Sequence, residues 1–487
     1  MINPLFRVFI LAALGLNSVL VSAAWVLPSR TLQQDSQGFY FQPAGVAEDY
    51  PQRSTPPGRI REDLKLLSEM GVQFLRVGIA WTDIEQVPGK YNWGHWDDLI
   101  RLAPQYGVTI LPYVCYTPAW LNSDPENPDD HWRNPPKDLR RFADFMFAIA
   151  KRYKGKVPSW ELWNEPDNEY YWLGDVSLFA QMIREGAFAV MRADPAARLV
   201  IGGMAQARGP FLEELLDKFA LGSFFDVVSV HGYLETWDGT PAESYPQRLQ
   251  DVRDLMKDTR ASSDLWLAEF GYSNFRLSDR KVSEWVEAVY DYEHTPIYQA
   301  VSLWKHHVLA RAADNVSLTT WYRTRDLPTN EVVIGDANNR FLGLLDTKGQ
   351  KKPAFSALKL YNRLFDQPVR PVSQLKVNRP AASQSVVHAF EKKNGNFILT
   401  GWLRSSLPME VKDKTGRSRD LRTEKISVQL PLTGSAWKLK VYSILGEPSA
   451  AKARLTGNLL KTITLRGDRA FIAEIERAEI LPEKPAL

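Results

Sequence analysis

Two glutamates stand where a pair of carboxylates could act on one bond. Glu165 closes the run Trp160-Glu161-Leu162-Trp163-Asn164-Glu165-Pro166, and Glu269 lies in Leu265-Trp266-Leu267-Ala268-Glu269-Phe270-Gly271. Each follows a short apolar segment of strand type. A carboxyl kept protonated can give its proton to a departing oxygen, and an ionised one can attack the carbon left behind. A single glutamate at such a place reads equally well as a solvated charge; two in matching contexts do not. Other chemistries find little support. The seven histidines are scattered without metal-ligand spacing, so no metal is expected. The lone cysteine, Cys115, excludes an internal disulfide framework and a Cys-based zinc site. There is no Gly-rich phosphate loop and no local signature of a Ser-His-Asp triad, and no cofactor is expected.

The elements that would position the pair alternate in type. Strand-like runs fall at 39–41, 73–78, 108–114, 159–163, 199–202, 227–230, 265–268 and 318–321. Helical periodicity lies between them. Ile60, Leu64, Leu67 and Met70 share one face, and so do Leu139, Phe142, Met146, Ile149 and Tyr153; a third helix runs over 178–191. Eight such units predict an α/β fold, a (β/α)8 TIM barrel over 38–365. Catalytic groups of that fold sit at the C-terminal ends of the strands. Strands four and seven face each other across the mouth, so Glu165 and Glu269 would converge. After about Asp366 the helical period disappears. Asn394-Gly395 precedes Phe397-Ile398-Leu399, Ile426, Val428 and Leu430 alternate with polar residues, and so do Trp437, Leu439 and Val441. A C-terminal β-sandwich over 366–480 is expected, a buttress more readily than a carbohydrate-binding module.

Asn164-Glu165-Pro166 after one strand, with Glu269 ending a later one, resembles the clan A glycoside hydrolases. The sandwich after the barrel is similar to family 39 and its relatives, including bacterial enzymes associated with exopolysaccharide. The resemblance implies that Glu165 is the acid/base and Glu269 the nucleophile of a retaining β-glycosidase working by double displacement. It implies further that Tyr233 of His231-Gly232-Tyr233 and Arg76 support the nucleophile, that Asn164 meets the sugar 2-hydroxyl, and that Trp321 lies beneath the sugar. The chain departs from some members of the clan after strand three, where Tyr113 and Tyr116 stand in place of a histidine.

Composition excludes more than it selects. The 60 basic and 57 acidic side chains nearly cancel, which argues against a nucleic-acid partner. The 16 Trp, 18 Tyr and 22 Phe serve a core or a sugar cleft, and position chooses between them. Trp81, Trp120, Tyr170, Tyr171, Trp172, Trp237, Tyr272, Phe275 and Tyr322 all follow strands, which predicts sugar platforms, with Trp81 and Trp120 as substrate contacts. The insertion 121–138, with Trp132, would wall the cleft. So many platforms predict endo attack on an extracellular polysaccharide. The alternatives are an exo-acting β-glycosidase such as a β-xylosidase, or a barrel that binds polysaccharide without cutting it. Arg323 and Arg325 read as surface charge, or as contacts to an acidic sugar. Residues 1–24 read as a signal peptide: Arg7, a short apolar stretch, then Val21-Ser22-Ala23-Ala24. Export to the periplasm or beyond follows, with a membrane partner only if that segment stays uncleaved.

Overall fold

The computed structural model describes residues 34–236, 240–261, 264–274, 294–313, 316–330, 333, 337–405, 420–434, 436–449 and 453–478. The expected signal peptide, Trp237 and Phe275 lie outside the described residues. Eight parallel strands close a barrel in chain order. They are β1 (Ala44–Asp49), β2 (Phe74–Ala80), β3 (Thr109–Cys115), β4 (Ser159–Leu162), β5 (Arg198–Met204), β6 (Val227–His231), β7 (Asp264–Phe270) and β8 (Val316–Tyr322). Pairing of Val46 with Trp321 and Ala47 with Tyr322 closes the ring. The first strand lies later than the expected 39–41. Tyr40 instead pairs antiparallel with Val369, exchanging two backbone hydrogen bonds of 2.9 Å. That short run is therefore spent on a bridge, and the strand begins just past Pro43.

Alternation along the strands divides the side chains between two cores. Phe74, Leu111, Val200, Val227, Trp266, Ala268 and Leu318 form a cluster of their own, as the inward positions of a small parallel barrel would. Leu75, Val77, Ile110, Leu162, Leu199 and Leu265 belong to the large cluster shared with the helices. Helix Arg59–Glu69 contributes Leu64 and Leu67, and helix Arg140–Arg152 contributes Phe142, Met146 and Ile149, the faces their periodicity predicts.

Beyond helix Pro353–Leu364 the chain forms two antiparallel sheets. One is ordered β10-β13-β16-β15, from β10 (Lys376–Asn378), β13 (Thr423–Gln429), β16 (Leu459–Arg466) and β15 (Arg454–Thr456). The other is ordered β14-β17-β12-β11-β9, from β14 (Trp437–Tyr442), β17 (Phe471–Arg477), β12 (Phe397–Leu403), β11 (Ser385–Lys392) and β9 (Val369–Pro371). Leu399, Ala473 and Ile475 from one sheet meet Ile426, Val428 and Ile463 from the other in a shared core, as in a β-sandwich. The opposite face of the second sheet is not free. Ile398, Trp402 and Ile472 belong to the barrel's own cluster. Trp304 Nε1 donates to Thr400 Oγ1 at 2.8 Å, and Trp402 Nε1 to Glu243 Oε1 at 2.7 Å. The sandwich is packed against the barrel as a buttress.

Candidate active site

Three residues at the C-terminal ends of the strands come together at the barrel mouth: Glu165, His231 and Glu269. One ligand atom from each lies within 4.8 Å of the other two. Local backbone geometry explains why. Trp163 and Glu165 both occupy the left-handed region, with φ of 81° and 44°. Such non-glycine conformations cost of order 1–3 kcal/mol each and persist only where the surroundings impose them. Here Trp163 N donates to Val114 O at 2.9 Å and Glu165 N to Gly203 O at 2.8 Å, tying the turn to both neighbouring strands. Glu269 needs a different device. Trp266 and Ala268 already face the barrel interior, so regular alternation would aim Glu269 outward. The register of β7 slips against both β6 and β8 within residues 267–270, and this irregularity turns Glu269 to the mouth.

Arg76, buried in β2, organises the floor. Its Nε donates to Glu161 Oε2 at 2.8 Å, its Nη1 to Glu269 Oε2 at 2.9 Å, and its Nη2 to Glu161 Oε1 at 3.1 Å and Asn164 Oδ1 at 2.9 Å. The Tyr113 ring lies against the guanidinium, 4.2 Å from its carbon to the ring centroid. Tyr233 donates its hydroxyl to Glu269 Oε1. Both oxygens of Glu269 are therefore held by donors. His231 Nδ1 lies 2.8 Å from Glu165 Oε1, and Asn168 Nδ2 donates to Glu165 Oε2 at 3.1 Å. Gly203 makes this packing possible. A Cβ there would sit 2.8 Å from Glu161 Oε1 and 3.1 Å from Arg76 Nη2, and its φ is +67°.

Burial separates the behaviour of these groups. It pushes the Glu165 carboxyl up to about 7, against the opposing pull of Asn168 and Arg76. It also raises Glu269, although Arg76 and the Tyr233 hydroxyl, which hold its oxygens, pull the other way. Burial lowers His231 to about 4, so the imidazole is neutral near pH 7. Burial thus lets Glu165 hold a proton far above the usual carboxylate range, while Glu269 accepts a charge-assisted hydrogen bond from the Arg76 guanidinium at 2.9 Å. The trio has donor types that suit a metal, but the Arg76 cation already occupies Glu269 Oε2 at 2.9 Å, an unfavourable neighbour for a second cation.

Beside the trio is a cleft of about 450 Å³, lined among others by Asp49, Tyr113, Tyr116, Trp132, Asn164, Tyr171, Glu269 and Tyr322. Trp132 comes from the 121–138 insertion, which supplies part of the wall. Three expected contacts are absent from the lining. Trp81 is fully buried, packed on Phe142 and Phe145 with Nε1 donating to Glu85 Oε2 at 2.7 Å. The chain turns into a short helix, Trp81–Ile84, and carries the ring outward. Trp120 is half-buried and donates to Glu85 O at 2.7 Å. Trp321 is fully buried, edge-on to Phe270, with Nε1 donating to Leu342 O at 3.1 Å. Strand alternation points Trp321 to the helix layer and its neighbour Tyr322 into the cleft. Trp172 and Tyr272 are core residues too. Tyr171 and Tyr322, expected as platforms, do line the cleft, while Glu161, Asn168 and Asp49 carry parts of the site that motif reading missed. Glu161 had one available signal, a charge at an inward position of β4 in register with Tyr113.

The family model for Glycosyl hydrolases family 39 matches residues 88–434. Over 133 residues the chain is 34% identical to Endo-1,4-beta-xylanase 3 of Hypocrea jecorina, a match covering 25% of this chain and 35% of that enzyme. The chain thus spans about a third of the length of that relative. A solved family 39 glycoside hydrolase from Bacteroides cellulosilyticus superposes with a TM-score of 0.64 at 18% identity, over 90% of this chain and 81% of that one. A monomeric beta-xylosidase from Caulobacter crescentus gives 0.62 at 16%, over 90% and 96%. These two likenesses are of fold. With the family match across most of the barrel and into the sandwich, the chain belongs to family 39 of the glycosyl hydrolases.

Proposed function

We propose that the protein is a retaining β-glycosidase, with Glu165 as acid/base and Glu269 as nucleophile. The observation that carries this reading is the spacing of the pair. Oxygens of the two carboxyls lie within 4.8 Å. Retaining enzymes hold their carboxyls about 5–5.5 Å apart, whereas inverting ones leave about 6.5–9.5 Å for a water. The rest of the geometry serves the same steps. Glu165, protonated near neutral pH, gives its proton to the glycosidic oxygen as the C–O bond breaks. Glu269 attacks the anomeric carbon and forms a glycosyl-enzyme. Arg76 and Tyr233 hold its oxygens and stabilise the carboxylate before attack and when it is released. Glu165, now ionised, takes a proton from the water that cleaves the intermediate. Asn164 accepts from Arg76 through Oδ1, which leaves its amide hydrogens to donate to the sugar 2-hydroxyl. A barrel that only bound polysaccharide would gain nothing from burying two carboxyls, each of which resists desolvation.

Where the enzyme cuts is a finer matter. The many aromatics after the strands predict endo attack, but not all of them reach the cleft. Trp81, Trp172 and Tyr272 belong to the core, and the cleft rings pack on one another: Tyr116 to Trp132 at 5.3 Å, Trp132 to Tyr171 at 6.4 Å. This packing supports the second reading, a short cleft that takes a chain end, and β-xylosides are the first substrates to try. Export through residues 1–24 belongs to the same proposal and is tested by N-terminal sequencing of secreted protein. Proton NMR of the first product formed should show the anomer of the substrate; the opposite anomer contradicts the mechanism. On a polymer, steady release of one small sugar supports exo attack, and a fall in viscosity ahead of new reducing ends supports endo attack.

A further inference from the structure

Asp49, the last residue of β1, has no place in the double displacement, yet it lines the same cleft as Glu269 and Asn164. Two tyrosines aim its carboxylate. Tyr113 donates to Oδ1 at 2.5 Å and Tyr322 to Oδ2 at 3.0 Å. Gly78 leaves the space for this, since a Cβ there would sit 2.5 Å from the Tyr113 hydroxyl and 2.9 Å from Asp49 Oδ1. An ionised carboxylate accepts about four hydrogen bonds, so about two acceptor positions are left toward the cleft.

The cations nearby are already committed. Arg323 pairs with Glu48 and donates from Nη1 to the Tyr322 hydroxyl at 2.9 Å. Arg53 pairs with Asp83 at 3.0 Å, and Arg325 pairs with Asp63 at 2.6 Å. Arg76 is divided between Glu161 and Glu269. Asp49 forms no ion pair among the described residues. Arg323 lines the cleft, but it is buried rather than a surface charge and is already held by Glu48 and Tyr322, while Arg325 pairs with Asp63 outside the lining, which weakens the expectation that either meets an acidic sugar. A sugar held against Glu269 meets a negative, acceptor-only group instead.

We propose that Asp49 is a specificity-determining residue that accepts hydrogen bonds from one or two hydroxyls of the sugar held at Glu269, restricting the enzyme to neutral glycosides and rejecting uronides. The inference rests on the glycosidase reading. It predicts that a hydroxyl donor is rewarded and that a carboxylate at the same place is repelled, since both partners would be anionic and in direct contact.

The test uses the full chain, as wild type, Asp49→Asn and Asp49→Ala. The substrates are the 4-nitrophenyl β-D-xyloside, glucoside, galactoside, mannoside and glucuronide, with thermal unfolding of each variant as a folding control. Wild type should hydrolyse at least one neutral glycoside, with kcat/KM at least 100-fold above that for the glucuronide. Asp49→Ala should lower kcat/KM on the best neutral substrate at least 30-fold. Asp49→Asn keeps the shape and removes the charge, so the neutral-to-glucuronide ratio should fall at least 10-fold even if overall activity drops. Activity of Asp49→Ala within 3-fold of wild type, an unchanged ratio in Asp49→Asn, or a wild type that prefers the glucuronide overturns the inference alone. A wild type that cleaves none of the five, and whose Glu269 is not labelled by a 2-deoxy-2-fluoro glycoside, overturns the glycosidase reading and this inference with it.

Discussion

Replacing Glu165 with glutamine should stabilise the protein, and only above a definite pH. Burial raises the Glu165 carboxyl from 4.5 to about 7. Below pH 4.5 the group is protonated in both folded and unfolded chains and contributes nothing. Between 4.5 and about 7 the unfolded chain releases the proton and the folded one keeps it, so wild-type stability falls as pH rises. Every tenfold difference in proton affinity between the folded and unfolded chains is worth about 1.4 kcal/mol, so the loss reaches about 3 kcal/mol by about pH 8 and then levels off. Glutamine has nearly the same shape and no proton to lose. It can still meet the neutral His231 ring and Asn168. The difference in stability between Glu165→Gln and wild type should therefore grow with pH across that window. With an unfolding entropy of roughly 2.1 cal/mol/K per residue, about 3 kcal/mol corresponds to roughly 3 °C in Tm for a chain of 487 residues. Paired thermal unfolding curves from about pH 4 to about pH 8.5 measure it. A difference that does not change with pH, or one that shrinks as pH rises, refutes the argument that Glu165 is held protonated by burial.

Other outcomes follow from the same geometry. Tyr233→Phe removes a donor to Glu269 and should lower kcat about 10–100-fold, moving the acidic limb of the kcat/KM profile upward because the ionised carboxylate has lost a stabilising bond. Trp81→Phe should cost about 1–3 kcal/mol in urea unfolding, since Glu85 loses its indole donor, with KM unchanged; a raised KM would restore the ring as a sugar platform. Gly203→Ala forces a Cβ against Glu161 and Arg76 at positive φ, so both stability and kcat should fall, with more than about 1 kcal/mol lost; an unperturbed variant would mean the floor is looser than described.

The barrel was legible because parallel strands buried on both faces leave apolar runs, and helices between them leave a 3.6-residue period. Residues 39–41 misled because a three-residue run with strand composition bears no sign of its partner, and its partner is Val369. The glutamate pair was legible from strand ends, but its aim was not. The slip in β7 and the positive φ values at Trp163 and Glu165 are set by tertiary packing, and nothing in those side chains announces them. Aromatics were the least legible. A Trp just past a strand can turn to the cleft or to the helix layer, and one residue of register decides. Trp321 and Tyr322 show both outcomes side by side, and Trp81 follows its short helix into the core. Asp49 was missed because the first strand was expected at 39–41, which left it in a connection, where a lone aspartate reads as a solvated charge until β1 and the hydroxyls of Tyr113 and Tyr322 are seen to place it.

The central claim is that Glu269 forms a covalent bond to the sugar, and trapping that bond tests it most directly. A 2-deoxy-2-fluoro β-glycoside with a good leaving group destabilises the oxocarbenium-like states of both steps, while the leaving group keeps the first step fast enough for the glycosyl-enzyme to accumulate. Mass spectrometry of the intact chain should show one added fluorosugar, and peptide mapping should place it on Glu269, with no adduct on a Glu269→Gln variant. A label on Glu165, on Glu161 or on any other residue, or turnover of the substrate without an adduct while the opposite anomer is released, would contradict the account.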